Sequence, residues 1–363
     1  MTTLADIAIL RPAAVTPDWM TRVLRKAGHA VTVKSLAGKR VGTGQVGESV
    51  RFALTYDGDP QGAPATVVGK FPSSDETSRN TGVVFGNYVR EVKFYNELAA
   101  TALITVPKVL HADVDLESHE FVLMMEDLAP AQQGDQLKGV SVDQAALVLG
   151  EAAKLHASHW GEDHFDQEPW LHNVAASPKT TDDDMMAQLW AGFCERYGAR
   201  VTPQVRKIGD TITAAFDRFQ FGYDGPRCLT HNDFRPDNMM FGTAEGGYPL
   251  AVVDWQSLGY GCCMADVSYF LGGALSRADR RAHDQDLLRG YHAQLVALGV
   301  KDYSFERLWR DYAHYSFALF NMGYAASMIV ERTERGDDMF FAMIDTAAAH
   351  VMDLGALKLF EGA

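Results

Sequence analysis

One stretch constrains this chain more than any other. Leu229-Thr-His-Asn-Asp-Phe-Arg-Pro-Asp-Asn-Met-Met-Phe241 is followed shortly by Leu250-Ala-Val-Val-Asp-Trp-Gln256. It offers Asp233, Asn238 five positions later, and Asp254 at the end of a β-rich run. The apolar runs Met239-Met-Phe241 and Val252-Val253 read as strands of a hairpin turning at Glu245-Gly-Gly247. That pairing predicts Asn238 and Asp254 side by side at one end. A carboxylate able to take a hydroxyl proton, with two oxygen ligands for a hard divalent cation, suits phosphoryl transfer.

Composition bounds the rest. With 363 residues, 47% hydrophobic and 22% charged, the chain can bury a sizeable core and reads as a globular protein of two lobes. A net charge of −14 argues against nucleic acid or an anionic membrane as partner. It also requires local cations wherever phosphate binds. No apolar run reaches spanning length, and Met1-Thr-Thr-Leu-Ala-Asp6 lacks a secretory pattern. Cys194, Cys228, Cys262 and Cys263 show no metal-finger spacing, so a reduced, cytoplasmic protein is expected; the sequence leaves its oligomeric state open.

In chain order, Thr16-Pro-Asp18 opens a helix ending near Gly28, and Val31–Leu36 alternates like a strand. Gly42-Thr-Gly-Gln-Val-Gly47 follows, with Gly42, Gly44 and Gly47 in a GxGxxG pattern. A dinucleotide fingerprint needs a helix next. Here Val50, Phe52, Leu54 and Tyr56 alternate at period two, so the glycines lie at a β-hairpin tip, as in a loop covering ATP phosphates, or form a plain turn. The strand 65–71 carries Lys70, and a helix over 84–98 carries the stripe Val84, Tyr88, Glu91, Tyr95, Leu98. A carboxylate on an apolar stripe needs a partner, and Lys70 is the expected one.

Two further strands, 105–110 and 120–125, flank an acidic turn from Asp113 to Glu117. A linker over 129–139 leads to the capping box of Ser141 and Gln144 and a helix bearing His156 and His159, read as core or network residues. Helices are expected over 185–197 and 205–219. Asp266 is expected as a buried N-cap, and the aromatic run from Trp309 to Tyr324 as core, part of which could instead wall a substrate pocket.

His231-Asn-Asp-Phe-Arg-Pro-Asp-Asn238 resembles the catalytic loop of the protein-kinase-like superfamily, matching at His231, Asp233 and Asn238. It departs at Asn232, and at Asp254-Trp-Gln256 where protein kinases carry D-F-G. These departures resemble the aminoglycoside phosphotransferase-like branch and its ecdysteroid-kinase-like and choline-kinase-like small-molecule kinases. The resemblance implies an α+β, two-lobed protein-kinase-like fold: a β-rich nucleotide-binding lobe over 1–128 and a larger helical lobe over 129–363. It implies ATP with Mg²⁺, held by Asn238 and Asp254; Asp233 as base; Lys70, paired with Glu91, on the α- and β-phosphates; and Arg235 near the transferred group. Glu126-Asp-Leu128 is similar to the hinge segment, where backbone groups of Glu126 and Leu128 meet the adenine edge. Only twelve positions separate Asp254 from Asp266, too few for a peptide-docking activation segment, so the expected acceptor is a small-molecule hydroxyl. Its class stays open between aminoglycoside, with the acidic residues Glu331, Glu334, Asp337 and Asp338 as a candidate lining, and a more apolar alcohol. Ser276–Arg281 is a candidate contact for an anionic one. The alternatives are a nucleotide-binding regulatory module without catalysis, or a protein kinase.

Overall fold

A computed structural model describes residues 7–42, 46–171, 183–330 and 332–361. The chain divides into two compact units: 1–101 with 105–132 and 242–257, and 102–104 with 133–241 and 258–363.

In the first unit α1 (Pro17–Lys26) starts where Thr16 accepts the Trp19 N–H, with Pro17 at the first position. Strands β1 (Val33–Val41), β2 (Gly47–Tyr56) and β3 (Thr66–Pro72) follow, and α2 (Glu76–Val84) and α3 (Asn87–Lys93) come next. Strands β4 (Val109–Val114) and β5 (Phe121–Glu126) complete an antiparallel sheet of order β1-β2-β3-β5-β4. Strand β1 runs five residues past the expected stop at Leu36, because Leu36–Val41 pair with Ser49–Leu54 up to the glycine segment. That segment forms the β1–β2 connection. Trp19, Val23, Phe52, Val67 and Phe71 centre the core between sheet and α1.

The single helix expected over 84–98 is three pieces. Gly86 sits at φ +66° and separates α2 from α3, and Phe94–Leu98 continue as a π-helical turn. A left-handed residue ends a helix, and glycine adopts it without a Cβ penalty. Val84 therefore leaves the buried stripe and is 66% exposed, while Tyr88, Glu91, Tyr95 and Leu98 remain buried.

The short strand β6 (Gln132–Gln133) precedes α4 (Val142–Ser158), which opens on the reciprocal Ser141–Gln144 capping box. Helix α5 (Asp183–Tyr197) is followed by α6 (Pro203–Ala214) and α7 (Phe216–Phe221), a broken pair where one helix was expected. Strand β7 (Cys228–Thr230) leads into the loop 231–238. Strands β8 (Met239–Thr243) and β9 (Gly246–Val252) form the expected hairpin, with Ala244 and Glu245 at the turn and Gly246 and Gly247 opening β9 at positive φ. Strand β10 (Gly259–Gly261) pairs with β7. Five helices close the chain: α8 (Met264–Ala274), α9 (Arg277–Ala297), α10 (Phe305–Tyr315), α11 (Ala318–Ile329) and α12 (Glu334–Asp353). Trp190, Phe193, Phe317, Phe320, Tyr324 and Ile344 pack in one apolar cluster of the second unit, so most of the aromatic run is core. No described helix is long and apolar enough to cross a membrane.

Five of the candidate substrate contacts outside the loop are engaged in ion pairs. Arg277 pairs with Asp345, Arg280 with Asp284 and Asp353, and Arg281 with Asp353. Asp337 accepts from Arg332 and Tyr197, and Asp338 faces Arg200. Glu331 lies outside the described residues.

The Arg280 cluster carries a pH signature. Burial, opposed by Arg280, pushes the Asp284 carboxyl up to about 6. The folded value exceeds the unfolded one of about 4, so this stabilisation is fully present below pH ~4 and lost as pH rises through ~6. Asp284→Asn should therefore gain on the parent by on the order of 2–3 kcal/mol between pH 4 and pH 7.5. Urea unfolding of both proteins across that range checks it, and a pH-independent difference would refute the assignment.

Candidate active site

In the first unit, β3 delivers Lys70 and α3 delivers Glu91, with their Nζ and Oε2 atoms 2.8 Å apart. Lys70 Nζ also lies 3.0 Å from Asp254 Oδ1, so one ammonium holds two carboxylates. Burial works against the Lys70 charge, but Asp254 and then Glu91 outweigh it and raise the amine above its ordinary value. Lys70 is a fixed cation. Gly47 permits the approach: a Cβ there would stand 3.1 Å from Lys70 Cε and 3.4 Å from Gln256 Nε2. Gly42 sits at φ +75°, and Gly44 lies outside the described residues.

Asp254 is placed by its neighbours. Trp255 is fully buried and stacks on Phe94 at 3.8 Å, while the Asn87 amide and the Arg90 guanidinium both donate to the Gln256 carbonyl. Asp254 itself lies two residues beyond β9 at φ +68°, an uncommon backbone state that Asp tolerates better than most residues. At the end of β5 the Glu126 N–H donates to the Lys108 carbonyl. The Glu126 carboxylate takes the Lys108 N–H and the Tyr248 hydroxyl, and the Leu128 carbonyl accepts the Ala131 N–H.

In the second unit the loop 231–238 is held from α8. Asp266 is fully buried; its two oxygens accept the His231 and Asn232 N–H groups, each at 2.7 Å. His156 Nε2 lies 3.1 Å from Asp266 Oδ2, and its Nδ1 meets the Tyr291 hydroxyl at 2.7 Å. His156 is a network residue. Asp266 is not the N-cap expected of it: Cys263 holds that position, and Asp266 turns from the first helical turn toward the loop. Asn232 takes φ +60°, which turns the chain just before Asp233. The Asp233 N–H donates to His231 Nδ1 at 3.3 Å.

The Asp233 carboxylate is gripped from three sides. Asn238 Nδ2 donates to Oδ2 at 2.8 Å, Arg235 Nε approaches Oδ1 at 3.0 Å, and the Tyr269 hydroxyl donates to Oδ1 at 3.3 Å. Burial, and then the Asp233 charge, push the Tyr269 phenol well above its ordinary value, so it is a donor here. Asp233, more than opposing burial, raises the Arg235 guanidinium further and keeps it charged. The sequence reading missed Tyr269. Its signal was the spacing: three positions after Asp266 on one helix, it shares the face that meets the loop.

Mg²⁺ takes oxygen ligands and is usually held by one or two carboxylates together with phosphate oxygens. Asn238 Nδ2 is committed to Asp233, donating to its backbone carbonyl and its Oδ2, so Oδ1 is the atom of this side chain that could ligate a metal. The Asp254 side chain keeps a third of its surface exposed. Each side chain, taken by itself, offers an oxygen donor of the kind such an ion takes.

Residues 61–309 match the family model described as the phosphotransferase enzyme family, more than half of the chain. The chain belongs to that family. It is the family of aminoglycoside phosphotransferases and choline/ethanolamine kinases that the loop 231–238 resembles. Among solved structures, a microcompartment-associated aminopropanol kinase is similar at TM-score 0.54 and 12% identity, over 93% of this chain and 98% of that one. An ethanolamine kinase from Plasmodium vivax is similar at TM-score 0.52 and 9% identity, over 86% and 82%. At such identities the likeness shows the shared kinase-like α+β fold. No curated protein sequence matches the chain.

Proposed function

We propose that this family member transfers the γ-phosphoryl group of ATP to a hydroxyl of a small molecule, with Asp233 as the base. The supporting observation is the Asp233 carboxylate, fixed by Tyr269, Asn238 and Arg235 on a loop braced by Asp266. In the step, the acceptor oxygen bonds to the γ-phosphorus as the bond from that phosphorus to the ADP oxygen breaks, and the hydroxyl proton passes to Asp233. The transition state is loose, so the residues act by positioning and by charge. Asp233 orients the hydroxyl, Lys70 meets the α- and β-phosphates, and Arg235 balances charge near the transferred group. The Glu126 and Leu128 backbone faces the adenine edge, and the glycine segment covers the phosphates. Asn238 and Asp254 would each offer an oxygen to Mg²⁺, which when bound would supply positive charge to the phosphate oxygens.

The two similar kinases named above take their names from amino alcohols. An acceptor carrying a hydroxyl, amino alcohols included, is therefore the first to test. Incubation of an alcohol panel with Mg-ATP, read as a mass gain of one phosphoryl group, tests the reading. No gain across aminoglycosides, amino alcohols and sterols would count against it.

Lys70→Met should lower kcat/KM for Mg-ATP by about 10- to 100-fold, the worth of a charge-assisted hydrogen bond. Steady-state kinetics in ATP checks this, and an unchanged value would remove Lys70 from the phosphate site.

A further inference from the structure

We infer that Asp237 is a positioning residue that sets Arg235 against the proposed base and ties both to the segment 133–136. The inference rests on the reading of Asp233 given above. Asp237 lies between the loop's motif positions and belongs to none of them. Its side chain nonetheless closes a chain of contacts. Arg235 spans two carboxylates: Nε on Asp233 Oδ1 at 3.0 Å, and Nη1 on Asp237 Oδ2 at 2.5 Å. The other Asp237 oxygen accepts the Gln136 N–H at 2.9 Å, and its backbone carbonyl accepts Gln133 Nε2 at 2.6 Å.

The segment is packed to make these contacts. The Gly134 N–H donates to the Met239 carbonyl at 2.9 Å. A Cβ on Gly134 would stand 2.4 Å from the Pro236 carbonyl oxygen, so only glycine allows the two backbones to lie this close. Gln136 Nε2 anchors the far end on the Gly273 carbonyl of α8 at 2.8 Å. Asp237 is thus held at two points, by the Gln136 N–H and by the Gln133 side-chain amide, and through its carboxylate it restrains a long arginine side chain. Arg235 has a planar fork of donors, so fixing Nη1 also fixes the direction of Nε toward Asp233. A guanidinium shared between two carboxylates is poised rather than spent: when a phosphoryl group arrives, Arg235 can turn toward it while Asp237 keeps it in place.

Asp237→Asn separates this role from folding, because the amide keeps an oxygen for the Gln136 N–H and removes both the charge and the acceptor that face Arg235. Two readouts on the full chain decide it. In turnover of Mg-ATP with water as acceptor, kcat should fall about 10- to 100-fold with KM for ATP and the Mg²⁺ activation constant unchanged. Asp237→Glu should recover most of the loss. Added to Arg235→Ala, Asp237→Asn should cost nothing further, since both act through one contact. Independently of activity, the Arg235 Nε–H resonance of ¹⁵N-arginine-labelled protein should exchange at least about tenfold faster in Asp237→Asn than in the parent. Unchanged exchange in that variant would overturn the inference, as would a kcat loss additive with Arg235→Ala. A raised Mg²⁺ constant at constant kcat would do the same, by assigning Asp237 to the metal side. If Asp233→Asn leaves Mg-ATP turnover untouched, the phosphotransfer reading fails by itself, and the exchange measurement still decides the positioning claim.

Discussion

Asp233→Asn is expected to lower phosphoryl transfer by about 10²- to 10⁴-fold, the usual contribution of a positioned acid–base group. The substitution is close to isosteric, so the oxygen that accepts from Asn238 or Tyr269 can be retained. What disappears is the charge that draws the hydroxyl proton and holds Arg235. KM for ATP should change little, because Asp233 is proposed to face the acceptor and not the nucleotide; a loss in kcat and kcat/KM together marks a transition-state interaction. Stability should stay within about 1 kcal/mol, since the carboxylate is a quarter exposed. Steady-state turnover with any acceptor from the panel, alongside nucleotide binding, makes the measurement. Full activity in the variant would remove Asp233 as the base.

What the sequence made legible follows from costs that it cannot hide. Glu91 could be assigned to Lys70 because a carboxylate on an apolar helical stripe has no affordable state without a cation, and the ion pair is there. The hairpin of β8 and β9 and the Ser141 capping box were legible because turn glycines and cap spacing act locally. The misses are of another kind. The break at Gly86 depends on one residue taking positive φ, and glycine allows that state without requiring it. Tyr269 looks like one more aromatic on an apolar helix, and only the path of the loop beside α8 turns its hydroxyl into a donor for Asp233. Asp237 carries no periodic or motif signal, since its partners at 133–136 are about a hundred positions away. Asn232, beside the proposed base, and Asp254, a proposed metal ligand, both hold left-handed backbone. Asx residues permit this state, but tertiary contacts impose it.

Those contacts make Asp266 the residue whose loss should cost the fold most. Asp266→Ala would leave the His231 and Asn232 N–H groups and the His156 ring without this acceptor, with His231 and His156 fully buried and Asn232 half-buried. An orphaned buried donor costs about 1–3 kcal/mol, so the variant should lose roughly 3–5 kcal/mol once partial relaxation is allowed. Asp266→Asn discriminates between charge and geometry. Its amide offers one oxygen and one NH₂ where the two carboxylate oxygens face two backbone donors. One N–H would then meet another donor, and recovery should be no more than about half. Activity should fall with stability in both, because the turn at Asn232 that aims Asp233 is fixed by these same two bonds. Urea unfolding followed by tryptophan fluorescence, with turnover measured below the transition, tests the claim. An Asp266→Ala protein within about 1 kcal/mol of the parent would mean that water or neighbouring groups take over both N–H groups, and that the loop holds its shape without help from α8.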